Sequence, residues 1–517
     1  MNDWKRFVRN FAVRSMKADE LRAEAEKDFH EYGVYPRSIQ NVGNAVVMMV
    51  RDASGKSLVA VGEDPALNGL QGSEVFMNNK RVRICPLTNE NCRSIRAMFP
   101  YTNPQPHQGH KITIGLGDRL GLASPGHIQI IREMDVFPVL AQQSIRELNL
   151  TGRTYEDVIS AAAWAVFQEG YTKGYGADGD HLKTAEEVKM ALDIGMTMIT
   201  LDCSEHIDNA AASQNSAELA EKYAQFSQQE RENWEKQYAG KTFQFDGCSF
   251  FISHEDVVRM GCVYGKAIRH TLDIYHNLIE KCGRPIDFEM SIDETLTPTS
   301  PASHYFVASE LIAGGVRITS LAPRFCGEFQ KGIDYIGDLD QFTGEFSVHV
   351  AIANHFGYKI SVHSGSDKFS VFPIVGEKTG GNYHLKTAGT NWLEAVRVIA
   401  VHQPDLYRRM HAFALEHLDE AKKYYHIGAK PENIPALDQL HDSELPDLMN
   451  RDDSRQVMHI TYGLLLQAKD DSGKLLFRDE IFAVLHDYEN EYMEGLKKHI
   501  GKHLQHLGLH VFSVRID

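Results

Sequence analysis

The chain has 517 residues and a formal net charge of −16, from 70 acidic and 54 basic residues. It is long enough for roughly two to four domains and for a large core without disulfide bonds. No block of Lys and Arg interrupts the acidic balance. We therefore expect no nucleic acid partner, because such binding rests on clustered cations that neutralise phosphates. A small anionic ligand stays compatible with a few locally focused cations.

The seven cysteines are scattered, odd in number and without a C-x-x-C pair. Cys85 and Cys92 are the closest two, at a spacing that fits neither a zinc knuckle nor a redox motif. Reduced thiols are the simplest interpretation. The first residues lack an apolar signal core, and no apolar run approaches the ~20 residues that cross a bilayer. These features predict a cytoplasmic protein without a membrane partner.

Residues 1–108 are predicted to form a small α/β cap domain. The runs 44–50 and 57–61 have β-type composition and are joined by the turn-forming residues 52–55. No catalytic spacing occurs there, so we interpret the domain as a cap or an oligomer contact. The sequence thus leaves room for a homo-oligomer. The segment 101–107, with two prolines, has the composition of a linker.

From Lys111 onward, short apolar runs alternate with helical segments. Eight strands are predicted, at residues 112–117, 136–141, within 174–184, and at 196–202, 285–291, 316–321, 358–363 and 382–388. Helices are predicted between them, including 155–171, 185–194, 301–313, 344–356 and 391–425. This alternation favours an α/β fold, a (β/α)8 TIM-type barrel over residues 109–428. A doubly wound open sheet is the rival, but no G-x-G-x-x-G follows the first strand.

Two further segments lie outside the alternation. Residues 205–282 are longer than one connection needs and mostly helical in pattern, so we interpret them as a helical insertion after the fourth strand. Residues 429–517 are helical and polar, and we interpret them as a C-terminal extension without its own motif.

Polar side chains occur where many of these strands end, and in a barrel the carboxyl ends of the strands converge on one rim. They are Asp118, Arg119, Gln142, Gln143, Asp180, His181, Lys183, Asp202, Glu289, Asp293, Glu294, Arg324, Glu328, Gln330, Lys331, His363, Ser364, Asp367, Lys368 and Lys386. A funnel with carboxylates, two histidines and several cations suits a polyhydroxy acid bound to a metal. A single such segment could be a turn with solvated charges, but the pattern repeats.

His181 and His363 are the metal candidates, because neutral imidazole is a common nitrogen ligand of divalent transition metals. A lone histidine is more often a satisfied polar side chain, but two at the ends of facing strands favour a site. Spacing leaves a third, oxygen ligand open among Glu328, Gln330, Glu289 and Asp202.

Asp180 and Glu289 lie on separate strands and could act as an acid/base pair, since work on both faces of a carbon needs two opposed groups. Either carboxylate could instead pair with a neighbouring cation in a structural network. Several residues are candidates for holding the substrate, although some of the cations could be plain surface charges. These candidates are Lys183, Arg324, Lys331, Ser364, Asp367, Lys368 and Lys386.

Several runs of the sequence resemble the tagaturonate epimerase family: residues 117–120, 137–144, 176–181, 291–301, 331–335 and 361–372. The resemblance extends from about residue 110 to the C-terminus. It implies interconversion of D-tagaturonate and D-fructuronate in hexuronate catabolism, with a divalent metal such as Zn, Mn, Ni or Co.

Carried over residue by residue, the resemblance implies Asp180 as proton acceptor and Glu289 as proton donor. It implies His181, His363 and Gln330 as metal ligands. A Gln carbonyl adds no negative charge, so the metal preference would differ from that of a site with a carboxylate at this position.

The two keto acids differ at a carbon one bond beyond the α position of the ketone, so simple enolisation cannot invert it. We expect retro-aldol cleavage: a base takes the hydroxyl proton at that carbon, the carbon–carbon bond opens, and the aldehyde half re-adds from its other face. Removal of a proton at the stereocentre itself is the alternative mechanism. A metal-dependent sugar-acid aldolase or aldose–ketose isomerase is the rival enzyme, and a sugar-acid-binding regulatory barrel is the non-enzymatic alternative.

Overall fold

The structure is a computed structural model that describes residues 3–14, 16–107 and 109–509. Its first part is a five-stranded antiparallel sheet in the spatial order β1-β2-β3-β5-β4 with four helices. The strands are β1 Gln40–Val42, β2 Ala45–Asp52, β3 Gly55–Val61, β4 Ser73–Met77 and β5 Lys80–Pro86. The helices are α1 Trp4–Asn10, α2 Ala18–Lys27, α3 Phe29–Tyr32 and α4 Asn89–Met98. The boundary at residue 108 remains a prediction.

The central strand β2 of this sheet is buried on both faces. Successive side chains of a strand point to opposite faces. Val46 and Met48 pack in one cluster with Trp4 and Phe7 of α1. Their neighbours on the strand pack in a second cluster that includes Trp164, from a helix of the next part of the chain. The sheet is therefore held between its own helices and the rest of the protein.

Eight parallel strands close into a barrel, which confirms the predicted fold class. The strands are β6 Ile112–Gly115, β7 Phe137–Ser144, β8 Gly176–Leu182, β9 Met198–Asp202, β12 Asp287–Ile292, β13 Ser320–Pro323, β14 Lys359–Val362 and β15 Tyr383–Lys386. Closure comes from the pairing of β15 with β6, where Tyr383 lies opposite Ile112. The strands are largely buried, as expected for a parallel sheet covered by helices.

The sixth barrel strand begins later than predicted. The expected strand 316–321 corresponds to β13 at Ser320–Pro323. Val316 lies outside the strand. Its backbone N–H donates to the carbonyl of Leu311 and so caps the preceding helix after the Gly314–Gly315 pair. An apolar, β-branched residue beside two glycines gave the same signal as a strand start.

The helices around and beyond the barrel are α5 Ser124–Ile131, α6 Ile145–Thr151, α7 Tyr155–Glu169, α8 Ala185–Ile194, α9 Ser216–Tyr223, α10 Gln228–Tyr238, α11 His254–Ile274, α12 Pro301–Ala313, α13 Leu339–Phe356, α14 Phe372–Thr379, α15 Thr390–His402, α16 Pro404–Glu416 and α17 Leu418–Ala421. The predicted single helix 391–425 was wrong in its continuity. Pro404 starts a new helix, because its ring has no N–H to donate and disfavours helical geometry in the residue before it.

The segment after β9 contains a hairpin that the sequence did not predict. Helices α9 and α10 are followed by β10 Lys241–Phe245 and β11 Cys248–Ile252, and then by α11. The hairpin places Phe243 and Phe250 against Tyr305 of α12, with ring centroids 4.5 and 5.8 Å from that tyrosine. The segment thus contains helices together with this aromatic hairpin, and its interpretation as an insertion stays a prediction.

The C-terminal part forms α18 Asp452–Ile460, α19 Tyr462–Gln467, α20 Arg478–Asp487 and α21 Glu489–His506. These helices share a second apolar core with α15 and α16. Among the described residues, none of the helices combines the length and the apolar character that a bilayer crossing requires.

Glu489, at the start of α21, ties the C-terminal helices to the first sheet. Its carboxylate accepts hydrogen bonds from Tyr35 Oη at 2.7 Å and from Arg51 Nη1 at 2.6 Å, and it pairs with Lys56. Burial would raise the pKa of Glu489, but Lys56, Tyr35 and Arg51 lower it to about 2. One buried carboxylate thus joins α21 to the first sheet.

We expect Glu489→Gln to lower the free energy of unfolding by about 3 kcal/mol at neutral pH, because Arg51 and Lys56 lose their counter-charge. The folded pKa lies below the unfolded value, so the carboxylate stabilises fully above about pH 4.5 and less as pH falls toward 2. Urea unfolding should show a constant gap between the proteins near neutral pH that narrows below about pH 4.5. Glu494→Gln, on the exposed side of the same helix, is the control; equal stability of E489Q and wild type would contradict this role.

Candidate active site

A cavity of about 80 Å³ lies at the carboxyl ends of the barrel strands. It is lined by Arg119, Gln142, Ser144, Arg146, Glu147, Asp180, His181, Asp293, Glu294, Lys331, Gly332, His363, Ser364, Ser366, Lys386, Ala388, Gly389 and His459. A wider outer chamber of about 290 Å³ shares part of this wall, including Arg146, Lys331 and His363. Many of the polar residues near strand ends line this cavity, among them Asp180, His181 and His363, whereas others such as Lys183 and Asp367 do not.

The ammonium of Lys386, at the end of β15, is the centre of the cavity floor. Its Nζ lies 2.6 Å from Asp180 Oδ1, 3.0 Å from Asp178 Oδ2 and 2.9 Å from Glu289 Oε1. It also donates to Thr200 Oγ1 at 2.6 Å. Burial would lower the pKa of Lys386, but these three carboxylates raise it well above its ordinary value. Lys386 is therefore a buried cation that holds three strand ends together.

Glu289 lies fully buried beside Lys386 and does not contribute to the described cavity wall. Its Oε2 accepts from Ser320, and its Oε1 is 2.7 Å from His363 Nε2. Burial would raise the pKa of Glu289, but Lys386 and His363 lower it well below its ordinary value. Glu289 thus orients His363 as an ionised acceptor.

Asp180 and His181 are consecutive residues that both line the cavity, which a regular strand would not allow. The pairing of β8 with β9 shifts register between Gly179 and Leu182, and His181 has φ +51°. Such a left-handed conformation is uncommon for a residue with a Cβ and concentrates at functional sites. The irregularity turns both side chains toward one space.

His181, His363 and Asp293 form a group whose candidate ligand atoms all lie within 4.8 Å of one another. The two imidazole rings are 5.0 Å apart between centroids. Nδ1 of each ring is buried without a hydrogen-bond partner in the described part of the chain. Burial would lower the pKa of His181, but Asp180 and the carboxylates around it raise that pKa to about 10. This negative surrounding and the orphaned nitrogens fit a bound cation.

A second group overlaps the first, because His181 also lies near Asp202 and Glu294. The distance from His181 Nδ1 to Asp202 Oδ2 is 3.7 Å, and Asp202 accepts the backbone N–H of Ser204. Asp202 was among the open oxygen-ligand candidates. The side chain of His181 can therefore serve either group, whereas His363 belongs only to the one with Asp293.

The tagaturonate epimerase family, UxaE, matches residues 35–507. The chain belongs to the tagaturonate epimerase family. The tagaturonate/fructuronate epimerase of Thermotoga maritima is 40% identical over 479 residues, 92% of this chain and 96% of that protein. The resemblance to this family and the predicted isomerase class are confirmed.

Crystal structures of the fructuronate-tagaturonate epimerase UxaE of Cohnella laeviribosi are similar in fold as well. A complex with one glycerol has a TM-score of 0.90 and 52% identity, over 95% of this chain and 99% of that one. The native structure has a TM-score of 0.90 and 53% identity, over 94% and 99%.

The predicted substrate residues of the epimerase separate into two sets. Lys331 and Ser364 line the cavity, with Lys331 Nζ 2.7 Å from Ser364 Oγ, and Arg324 lines the outer chamber. Lys183 pairs with Asp202 and Glu205 and is absent from the described walls of both spaces.

Asp367 and Lys368 brace the loop behind the cavity instead of lining it. Asp367 pairs with Arg455 of α18 at 2.6 Å and lies 3.2 Å from His499 of α21. Lys368 Nζ donates to the backbone carbonyls of Gln330, Ile333 and Ser366, at 2.8, 2.6 and 3.0 Å. These contacts fix the loop after β14 that carries Ser364 and Ser366 into the cavity wall.

Gln330 lines the outer chamber, but protein donors already use its side-chain oxygen. Oε1 accepts the backbone N–H of Gly428 at 2.7 Å and the amide of Gln456 at 2.9 Å. Its amide nitrogen donates to Glu328. The role of Gln330 as a metal ligand therefore stays a prediction, whereas Asp293 is a carboxylate that the ligand prediction overlooked beside the two histidines.

The sequence also gave no role to Arg146, Glu147 and His459 of the cavity wall. His459 comes from α18 in the C-terminal extension, 96 residues after His363, so no local motif indicates its place in the cavity wall. Arg146 and Glu147 begin α6 just after the predicted second strand, and their position near a strand end was the available signal.

We expect Lys386→Met to destabilise the epimerase by about 3 kcal/mol or more at neutral pH, because Asp178, Asp180 and Glu289 lose their shared cation. The loss should shrink as pH falls, since protonation of these carboxylates relieves their repulsion. Urea unfolding at several pH values measures it. Lys189→Met, an exposed residue of α8, is the control. A variant as stable as wild type would show that Lys386 does not hold the floor together.

Proposed function

We propose that this epimerase interconverts D-tagaturonate and D-fructuronate in the cytoplasm, as a metal-dependent step of hexuronate catabolism. The observation that carries the proposal is the joining of Asp180, His181, His363 and Asp293 at one cavity of the barrel. The relatives' names supply the substrate pair, and they belong to proteins that cover nearly the whole chain.

The stereochemistry of the reaction favours retro-aldol chemistry. The inverted carbon is β to the ketone, so its hydrogen is not acidic. Loss of the hydroxyl proton at that carbon lets the adjacent carbon–carbon bond break, with its electron pair entering an enediolate and the inverted carbon becoming an aldehyde. Rotation of the aldehyde and re-formation of the bond on its other face reverse the configuration. No carbon–hydrogen bond breaks in this sequence.

Asp180 is the base that the geometry favours for the hydroxyl proton. It lines the cavity, and it is held ionised, because burial would raise its pKa but Lys386, His181 and His363 lower it below the ordinary value. Glu289 has no place in the described cavity wall, and Lys386 and His363 hold it ionised, so we assign its predicted role of proton donor to the Lys386 ammonium. Lys386 touches both Asp180 and Glu289 and lines the cavity.

His181, His363 and Asp293 are the residues that we propose hold the metal. With Nε2–H of His363 donated to Glu289, Nδ1 remains for the cavity, 3.2 Å from Asp293 Oδ1. A ligating histidine whose other nitrogen bonds a carboxylate is a common arrangement. Two nitrogens and a carboxylate suit Zn, Mn, Ni or Co. A divalent cation there would supply Lewis acidity toward charge developing on the ketone oxygen.

Proton NMR of D-tagaturonate incubated with the metal-loaded protein in D2O tests the function and its route together. We expect D-fructuronate to form without deuterium at the inverted carbon, because the retro-aldol route leaves that C–H bond intact. Deuterium at this carbon would overturn the route while leaving the function in place. Three-carbon fragments as the only products would identify an aldolase, and unchanged tagaturonate would refute the proposed activity.

Metal analysis of variants tests the ligand set. We expect Asp293→Asn and His363→Ala each to lower bound metal at least ten-fold, since each removes a direct donor or its charge. Gln330→Leu should retain the metal, because the Gln330 oxygen bonds Gly428 and Gln456. Loss of metal from Q330L with retention in D293N would reverse our choice in favour of the ligand that the sequence predicts. Circular dichroism of each variant controls for folding.

A further inference from the structure

The cavity has a cationic wall that the proposed chemistry does not use. Arg119, Arg146 and Lys331 all line it, and Glu147 is the carboxylate that pairs with Arg119, at 3.0 Å. Within the described residues, no ion pair joins a carboxylate to Arg146 or to Lys331. Glu147 and Glu294 are the carboxylates that lie near these three cations, so the wall keeps an excess of positive charge, which favours an anionic ligand.

Donor atoms of this wall are left without partners. Arg119 Nη1 and Arg146 Nε are buried and have no hydrogen bond in the described part of the chain. Arg119 itself is only 4% exposed. A buried guanidinium nitrogen without an acceptor is costly, so an oxygen of a bound molecule is the natural partner. Arginine suits a carboxylate, because its planar fork matches the two oxygens.

Two tyrosines hold these guanidinium groups in place. Arg119 lies over the ring of Tyr462 at 3.9 Å, and Arg146 lies over the ring of Tyr425 at 4.9 Å. Stacking orients a guanidinium without using its N–H groups. Both tyrosines follow the last barrel strand in the chain, Tyr425 in the segment after α17 and Tyr462 at the start of α19.

His459 of α18 completes the wall with a neutral polar ring. It is 1% exposed, lines the cavity, and both of its ring nitrogens lack a hydrogen-bond partner in the described residues. Burial first, and then Arg119 and Lys331, lower the pKa of His459 well below its ordinary value. A Cβ on Gly389 would come within 2.2 Å of the His459 ring, so the glycine makes room for it.

We propose that Arg119, Arg146 and Lys331 bind the carboxylate of the keto acid and that His459 bonds a neighbouring hydroxyl. This assignment rests on the proposed function. It fixes the direction of the substrate: the acid end lies at the cationic wall, and the ketone and the reacting carbon lie toward Asp180 and the two histidines. The C-terminal extension is then part of the active site, because α18 supplies His459 and α19 supplies Tyr462, which orients Arg119.

Calorimetry with D-glycerate tests the subsite without turnover, since this anion reproduces the three-carbon acid end of the substrate. We expect Arg146→Met and Lys331→Met each to weaken glycerate binding roughly ten- to hundred-fold, the loss of one charge-assisted hydrogen bond. Lys189→Met, on the exposed face of α8, should bind glycerate like wild type. Metal content is measured in every protein, to separate loss of the wall from loss of the metal.

The kinetic counterpart uses D-tagaturonate. We expect R146M and K331M to raise KM with a smaller change in kcat, because they remove contacts to the carboxylate, whose bonds do not change in the reaction. His459→Gln should retain most of the affinity, and His459→Leu should lose about ten-fold, at equal thermal stability. If both His459 variants lose affinity in proportion to a lower unfolding temperature, the role of His459 is packing and not a contact with the substrate.

Failure of the subsite and failure of the proposed function give different results. Glycerate affinity that is unchanged in R146M and K331M would overturn the subsite even if the protein is an active epimerase. Affinity that is lost on metal removal but not in these variants would place the carboxylate on the metal, and no glycerate binding to wild type would also refute the assignment. Normal glycerate binding without epimerisation would refute the function alone.

Discussion

The buried ammonium of Lys386 is the interaction on which the candidate site depends. One cation at the end of β15 contacts carboxylates from β8 and β12, on the other side of the closed sheet. Buried charges of the same sign repel strongly. Asp178, Asp180 and Glu289 could therefore not stay ionised together without the Lys386 ammonium. Lys386 therefore has two effects. It links β15 to β8 and β12 through ion pairs, and it keeps Asp180 ionised, the state that accepts a proton.

The acidity of this floor also explains the histidines. Lys386 alone does not neutralise the three carboxylates that it contacts, and Asp293 adds a further negative charge beside His363. Both imidazoles then have pKa values raised by their neighbours, against the effect of burial. Protons and metal ions compete for such nitrogens. A site that attracts a proton this strongly is prepared to exchange it for a divalent cation.

Much of the architecture could be predicted from the sequence. The barrel strands are short apolar runs bounded by turns, and the polar residues after them are visible in the chain. What periodicity could not supply was the pairing in space: which carboxylate lies beside His181 and His363 depends on the bulge in β8 and on the loop after β12. The strands β4 and β5 were not predicted either, because β4 is an exposed edge strand and β5 carries the charged residues Arg81 and Arg83.

The role of the C-terminal helices in the cavity wall was not predicted from the sequence, for a physical reason. A helix that buries an apolar face has the same pattern whether it covers a core or closes a cavity. In α18, Ile460 packs in the second core while its neighbour His459 lines the cavity. Arg455 of the same helix pairs with Asp367, in the loop after β14 that carries Ser364. The extension thus supports the cavity wall through an ion pair and contributes to it directly, so its packing and its chemistry cannot be separated.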